Sequence, residues 1–350
     1  MRAWKLNSTD DELRLLDVPE PSLRAGGVLV DVLAVHVPAY SSVLTGGTRG
    51  SIPTPLVLGA GGLARVVAVA DDVTGFAPGD VVVNAGLLRE AGAEFIVGWT
   101  GIGGRGERTP VVARLQERWR DGTFAERAVL PASVLVPVPG AGDDPRLAFL
   151  PWLSIAAEAL TGQQPGERVA VLGATGQLGG AAVLVALARG ASGVVAVGRN
   201  PDALARLAAL DRRVVTVRLT GDRPADAAAI RAAGEPDVTV DALGAVPDPG
   251  PTLAGYDALR PGGTLVLIGG VRQNLTLAYG DLMRRRMTVR GSWMARPETV
   301  AAVWRLVGGG VLDLSALEPR VVGLDDPAAA LDLADSTSGL AFVVLVPRAA

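Results

Sequence analysis

The stretch Glu167-Arg168-Val169-Ala170-Val171-Leu172-Gly173-Ala174-Thr175-Gly176-Gln177-Leu178-Gly179-Gly180 constrains this chain more than any other. A short, largely β-branched run ends in glycines and gives way to small, helix-compatible residues, which reads as a buried strand turning into a helix. At such a turn the first glycine allows a sharp reversal and the second lets the backbone approach a pyrophosphate. The third lets helix and strand pack closely. Gly173, Gly176 and Gly179 fill these places, with Ala174 where the strict pattern has a further glycine. The helix beginning near Leu178 points free N–H groups and its positive dipole end at the phosphates, so Thr175, Gln177 and Leu178 belong to the expected cradle.

The next apolar run, Gly193 to Val197, reads as a second strand ending at Gly198-Arg199-Asn200. The end of this strand normally reads the adenosine ribose, through an acid for a 2′-hydroxyl or a nearby arginine for a 2′-phosphate. Gly198 supplies no acid, and Arg199 offers a planar, permanently charged fork, so NADPH is the expected cofactor. Leu243-Gly244 and Ile268-Gly269-Gly270, after the fourth and fifth strands, are expected to complete the cofactor's surroundings.

Three scarcities narrow the chemistry. The 350 residues include no cysteine, one histidine (His36) and one lysine (Lys5). Disulfides and a cysteine/histidine zinc site are excluded, so no metal is expected. A P-loop lysine and a Tyr-x-x-x-Lys relay cannot be built, and no Gly-x-Ser-x-Gly elbow presents a serine. The net charge of −3 gives no field to gather nucleic acid or an anionic membrane. The N-terminus lacks an apolar core of signal-peptide type and no long apolar span occurs, so a cytoplasmic location is expected.

Along the chain, β-branched runs at 28–35 and 63–70 and the turn Val73-Thr74-Gly75-Phe76-Ala77-Pro78-Gly79-Asp80 read as strand-rich text. Residues 86 to 121 form a long glycine-rich segment of the kind used as lids or binding loops. From about residue 150 strands and helices alternate, with strands at 168–172, 193–197, 214–219, 238–242 and 264–268, which predicts a parallel sheet covered on both faces. The helix near 297–307 and the strand 341–346 break this rhythm and are assigned back to the first domain. The boundaries are thus 1–150 with 295–350, around 151–294.

Several motifs in order carry a family resemblance: Gly27-Val28-Leu29-Val30-Asp31-Val32, the 73–82 turn, Gly122-Thr123-Phe124-Ala125-Glu126, Asp237 to Gly244, and Leu259-Arg260-Pro261-Gly262-Gly263. On these the chain resembles the medium-chain dehydrogenase/reductase superfamily, most closely its zinc-independent, quinone-oxidoreductase-like branch. The resemblance implies an α/β protein in which a GroES-like, β-rich domain is split around a Rossmann domain, with a small-molecule substrate in the cleft between them. It also implies a homodimer formed through the strand 264–268 as the sheet edge. Zinc-using relatives place Gly-His-Glu where this chain has Gly59-Ala60-Gly61, and a cysteine near Val37. Quinone-reductase relatives carry Asn-Pro-x-Asp, which maps onto Val37-Pro38-Ala39-Tyr40.

Without a Lewis acid, a conjugated acceptor such as an enone or quinone spreads the developing charge by itself, so its reduction is the expected reaction. Tyr40 and His36 are the candidate proton donors. The alternatives are a non-redox or non-catalytic NADPH-binding protein and a carbonyl or imine reductase.

Overall fold

The computed structural model describes residues 1–45, 52–89, 96–102 and 110–348. The chain forms two compact units, one comprising Met1–Pro151, Leu317–Thr337 and Ala341–Ala350, the other Trp152–Ala316 with Ser338–Leu340.

The first unit is built around the 11-residue strand Gly27–Val37, longer at both ends than the apolar run alone suggests. It pairs antiparallel with Leu63–Val69, Arg127–Pro131 and Ala341–Leu345 within a seven-stranded sheet. Its side chains alternate between faces, as a pleated strand requires, and Val28, Val30 and Val32 join Trp4, Leu6, Leu58 and Phe124 in one core. A three-stranded sheet of Arg2–Leu6, Arg14–Asp17 and Leu56–Val57 covers it, pinned by the bond from Trp4 Nε1 to the Leu324 carbonyl at 2.7 Å. The 86–121 segment carries the hairpin Leu87–Arg89 with Ile96–Trp99 and the helix Pro110–Arg118. Its stretches 90–95 and 103–109, and with them much of the expected lid, lie outside the described residues.

The second unit is a six-stranded sheet in which every pairing is parallel. In chain order the strands are Arg168–Leu172, Gly193–Gly198, Val214–Arg218, Val238–Asp241, Thr264–Leu267 and Thr288–Gly291, and in space they run third, second, first, fourth, fifth, sixth. This is the doubly wound order of a dinucleotide-binding sheet, whose connections change direction between the first and fourth strands. The α/β architecture with a GroES-like and a Rossmann unit is as expected.

Two expectations change. The strand Thr264–Leu267 is not the sheet edge, because Thr288–Gly291 pairs outside it from Thr264↔Thr288 to Leu267↔Gly291. The chain also does not leave the second unit at residue 295. The helix Pro297–Gly308 stays there, and Glu158 shows why. Its carboxylate accepts from Arg296 N–H and from the Thr299 hydroxyl and pairs with the Arg296 guanidinium at 2.9 Å, fastening the start of that helix to Leu150–Ala159. The strand Ala341–Leu345 does return to the first unit.

Candidate functional site

The residues expected around a cofactor come from four neighbouring strands of one sheet. Parallel strands share a direction, so the ends at Leu172, Gly198, Asp241 and Leu267 lie along the same edge, at the switch in winding. Backbone packing dictates the glycines here. Gly173 has φ +74°, and a side chain on it would meet the Ala242 carbonyl at 2.8 Å. A Cβ on Gly179 would stand 2.1 Å from the Gly173 carbonyl oxygen, so the helix packs backbone to backbone on the turn that follows the strand. Gly176 caps the helix Gln177–Ala188 with extended torsions, leaving the first N–H groups of that helix without helical acceptors. Gly269 lies against the Leu243 carbonyl, which accepts from Gly270 N–H at 2.7 Å, so the fourth and fifth loops are tied together.

At the second strand's end, a Cβ on Gly198 would come within 2.6 Å of Thr175 Cγ2, so no acidic side chain fits without displacing Thr175. Arg199 is exposed beside it, and Arg218 ends the adjacent strand in register with Gly198. Asn200 Oδ1 accepts from Asp202 N–H at 3.0 Å and Ala203 N–H at 3.2 Å, so its side-chain oxygen caps the helix Pro201–Ala208.

Asp241, whose individual role sequence reasoning missed, is 2% exposed beneath this edge. Its carboxylate accepts from Leu243 N–H at 2.9 Å and from the Thr252 hydroxyl at 2.6 Å, which fixes the fourth loop. Burial pushes the carboxyl above the usual range, and those two hydrogen bonds oppose the shift. The readable signal was an acid closing the otherwise uncharged strand Val238–Asp241.

The first unit carries a separate concavity lined by Pro38, Tyr40, Ser41, Leu58, Gly59, Ala60, Ile102 and Phe124. Tyr40 lines it; His36 does not. His36 is 4% exposed on the central strand, its ring 5.6 Å from that of Phe149 and edge-on to Phe342 at 5.3 Å. Ser41, which sequence reasoning also missed, is 2% exposed and lines this concavity, its backbone N–H donating to the Pro38 carbonyl at 2.9 Å.

Two family descriptions match the two units: an alcohol dehydrogenase GroES-like domain over residues 24–140 and a zinc-binding dehydrogenase over residues 178–308. The glucose 1-dehydrogenase of Thermoproteus tenax is 30% identical over 272 residues, spanning 74% of this chain and 72% of that protein. This chain belongs to the medium-chain dehydrogenase/reductase superfamily. Within the superfamily, the L-threonine 3-dehydrogenase of Streptomyces avermitilis is 27% identical, with 97% of each chain covered. Among solved structures, a thermostable alcohol dehydrogenase from Pyrobaculum aerophilum superposes with a TM-score of 0.76 at 26% identity, covering 99% of both chains. Alcohol dehydrogenase TADH from Thermus sp. ATN1 has the same fold, with a TM-score of 0.84 at 23% identity over 99% of this chain and all of that one.

These relatives correct the expected reaction. They are named as dehydrogenases of threonine, glucose and alcohols, which overturns the expectation of a conjugated enone or quinone acceptor. The superfamily makes the chain an oxidoreductase that takes a nicotinamide cofactor and a small-molecule substrate. Among the described residues no helix is long and apolar enough to cross a membrane.

The zinc in the second family description does not fit the donors of this chain. There is no cysteine, the one histidine is packed between phenylalanine rings, and no histidine or carboxylate is among the lining residues of the concavity. No cluster of three or more histidine, aspartate or glutamate side chains suited to a metal occurs among the described residues. Ala60 occupies the wall where the resemblance sets a histidine, and Gly61, with φ +87°, sits where it sets a glutamate.

Proposed function

We propose that this protein is an NADP(H)-dependent alcohol-type dehydrogenase that interconverts a hydroxyl and a carbonyl group without a metal. The observation that carries the NADP(H) preference is the pairing of an excluded acid at Gly198 with two guanidinium groups, Arg199 and Arg218, on adjoining strand ends. A 2′-phosphate gains charge-assisted hydrogen bonds there, whereas a 2′-hydroxyl has no carboxylate partner.

A nicotinamide held at this cradle would supply hydride exchange with the carbinol carbon, leaving the hydroxyl proton to be taken up beside the substrate. The chain's own contribution at the cradle is electrostatic: the positive dipole end of the helix Gln177–Ala188 would meet the pyrophosphate, and Gly173 and Gly176 would let it come close. In the first unit Tyr40 is the candidate proton-handling group, because it lines the concavity while His36 is enclosed by Phe149 and Phe342.

The sheet edge supports a homodimer as part of this reading. Thr288–Gly291 is the outermost strand of the second unit, with Val289 and Trp293 exposed beside it. A homodimer formed across this edge, rather than across Thr264–Leu267, satisfies its unpaired backbone groups.

The decisive experiment measures absorbance at 340 nm with NADP⁺ or NAD⁺ and a panel of alcohols. NADP⁺ is expected to win, and Arg199→Ala is expected to raise its KM about tenfold or more while leaving that of NAD⁺ alone. Equal use of the two cofactors, unaffected by Arg199→Ala, rejects the cofactor assignment. Loss of activity after dialysis against a chelator, restored by Zn²⁺, rejects the metal-free reading.

A further inference from the structure

The fourth strand of the second unit ends in a buried charge. Side chains two apart on a strand share a face, and Thr239 and Asp241 both meet the helix Gly250–Ala258. The Thr239 hydroxyl donates to the Gly255 carbonyl at 3.1 Å, and Asp241 accepts from the Thr252 hydroxyl at 2.6 Å. Helix and strand are stitched at two points, so the carboxylate is held in place. Its other oxygen accepts from Leu243 N–H at 2.9 Å, and the Asp241 carbonyl accepts from Ile268 N–H at 3.0 Å, which ties the strand's end to the fifth loop as well.

Both carboxylate oxygens act as acceptors, as the ionised form requires. Charged side chains on the packed elements are engaged or placed elsewhere. Arg168 stands at the opposite end of the strand Arg168–Leu172, and the strand Thr264–Leu267 has no charged residue. On the helix side Asp257 pairs with Arg223 at 2.7 Å, and the exposed Asp248 accepts from Gly250 N–H. Arg272, past the fifth loop, is exposed. Burial and the two hydrogen bonds are what act on the Asp241 carboxyl, and no cation of the chain offsets its charge. One N–H and one hydroxyl are served equally well by a neutral acceptor, whereas a buried charge costs more and calls for an opposite one.

With the adenosine ribose at the end of the second strand, the mononucleotide carrying the nicotinamide belongs over the fourth to sixth strands, on the side of the winding switch where Asp241 lies. The nicotinamide ring is positively charged when oxidised and neutral when reduced. We propose that Asp241 acts on the cofactor through its field, the buried carboxylate favouring the oxidised form over the reduced one. The inference rests on the nicotinamide-cofactor reading of the second unit and adds which redox form the protein favours and the residue responsible. An oxidised cofactor stabilised in this way is a weaker hydride acceptor, so the equilibrium on the protein leans toward reduction of the carbonyl.

The test is fluorescence titration of the whole protein with NADPH and, in competition, with NADP⁺ at pH 8, for the wild type, Asp241→Asn, Asp241→Ser and Thr252→Val. Asparagine and serine both keep an acceptor for Leu243 N–H and remove the charge. Each should weaken NADP⁺ about tenfold relative to NADPH, a rise of about 30 mV in the potential of the bound couple. Thr252→Val takes away a hydrogen bond and keeps the charge, so it should lower stability in urea while leaving the ratio of the two Kd values within about twofold of wild type. NAD⁺ and NADH should show the same tenfold shift, because the redox charge sits on the ring and not on the ribose. Far-UV circular dichroism establishes that each variant is folded.

Folded Asp241→Asn or Asp241→Ser protein that loses affinity equally for both redox forms, or for neither, overturns the inference and leaves the cofactor reading in place. So does a Thr252→Val protein with the same shift in ratio, since that would trace the effect to packing. Binding of neither redox form of either cofactor by the wild type overturns the cofactor reading, and this inference with it.

Discussion

The two regions most concerned with function are built from different material. The cofactor cradle proposed for the second unit is a backbone object: Gly173, Gly179 and Gly269 are there because carbonyl oxygens of Gly173, Ala242 and Leu243 occupy the space a side chain would need. The concavity of the first unit is bounded by residues with side chains, Leu58, Ile102 and Phe124 among them with Ser41 and Tyr40, beside the glycine at 59. A backbone object tolerates almost no substitution and binds the part of a ligand that never varies. A side-chain surface keeps its frame while its chemistry changes.

The largest effect that can break this contrast comes from Phe124→Ala, which removes the concavity's floor. It should cost about 3–5 kcal/mol in urea-induced unfolding. NADPH affinity should hold in the folded fraction, and a parallel loss of affinity would mean that the two regions do not act separately.

Gly179→Val tests the other side. Forcing a branched side chain into the Gly173 carbonyl should cost about 3 kcal/mol, read as a near hundredfold loss of NADPH affinity by fluorescence titration. Wild-type affinity would show that helix and strand need not touch there.

Asp241→Ala comes next. It orphans the Leu243 N–H and the Thr252 hydroxyl, with an expected loss of about 2 kcal/mol on thermal or chemical unfolding. Asp241→Asn, which keeps an acceptor for Leu243, should cost less. Because burial raises this carboxyl, its ionisation withdraws stability as pH rises above the unfolded-state value of about 3.9. Asp241→Asn should remove that component.

The smallest effect has the opposite sign. Asp211, held at about 2 by the Arg213 guanidinium 2.7 Å away, contributes stability above about pH 4 that is lost as pH falls through about 2. Being surface-lying, the pair should contribute less than about 1 kcal/mol, seen as a shallower acid limb in Asp211→Asn.

The same contrast explains what could be read in advance. The strand-to-helix turn was legible because backbone collisions demand glycine, and glycine is visible in the text; Gly173 to Gly179 lie between the strand Arg168–Leu172 and the body of the helix Gln177–Ala188, and Gly198 and Gly269 lie at strand ends. The helix Gly250–Ala258 was not, because Gly255 looks like a breaker. In the structure it lets the helix settle on the sheet, where a Cβ would strike Leu172 and Thr239. Arg223–Gly234 begins with a first-turn proline and an Asp222 cap, which are helix-start signals, but its alanine-rich body shows little apolar periodicity. The outer strand Thr288–Gly291 is mostly exposed and carries an arginine, so its apolar pattern is faint.

The reaction was misread for a related reason. Departures at Val37 to Tyr40 and Gly59 to Gly61 say which groups are missing, but not what replaces them. Ser41, one residue beyond the compared motif, carries no pattern until the fold brings it beside Leu58, Ile102 and Phe124.

The junction of Gly59, Gly101 and Gly122, where a Cβ on either of the last two would strike the Gly59 carbonyl, has a consequence for how such a protein diversifies. Two stretches of chain enter and leave an excursion whose ends are bonded to each other, Gly101 N–H to the Arg120 carbonyl, and to the frame, Gly122 N–H to the Val57 carbonyl and Val57 N–H to the Asp121 carboxylate. Trp119 and Leu115 anchor that excursion in the core and cannot vary freely, whereas the glycine junction that closes it asks nothing of the side chains it encloses.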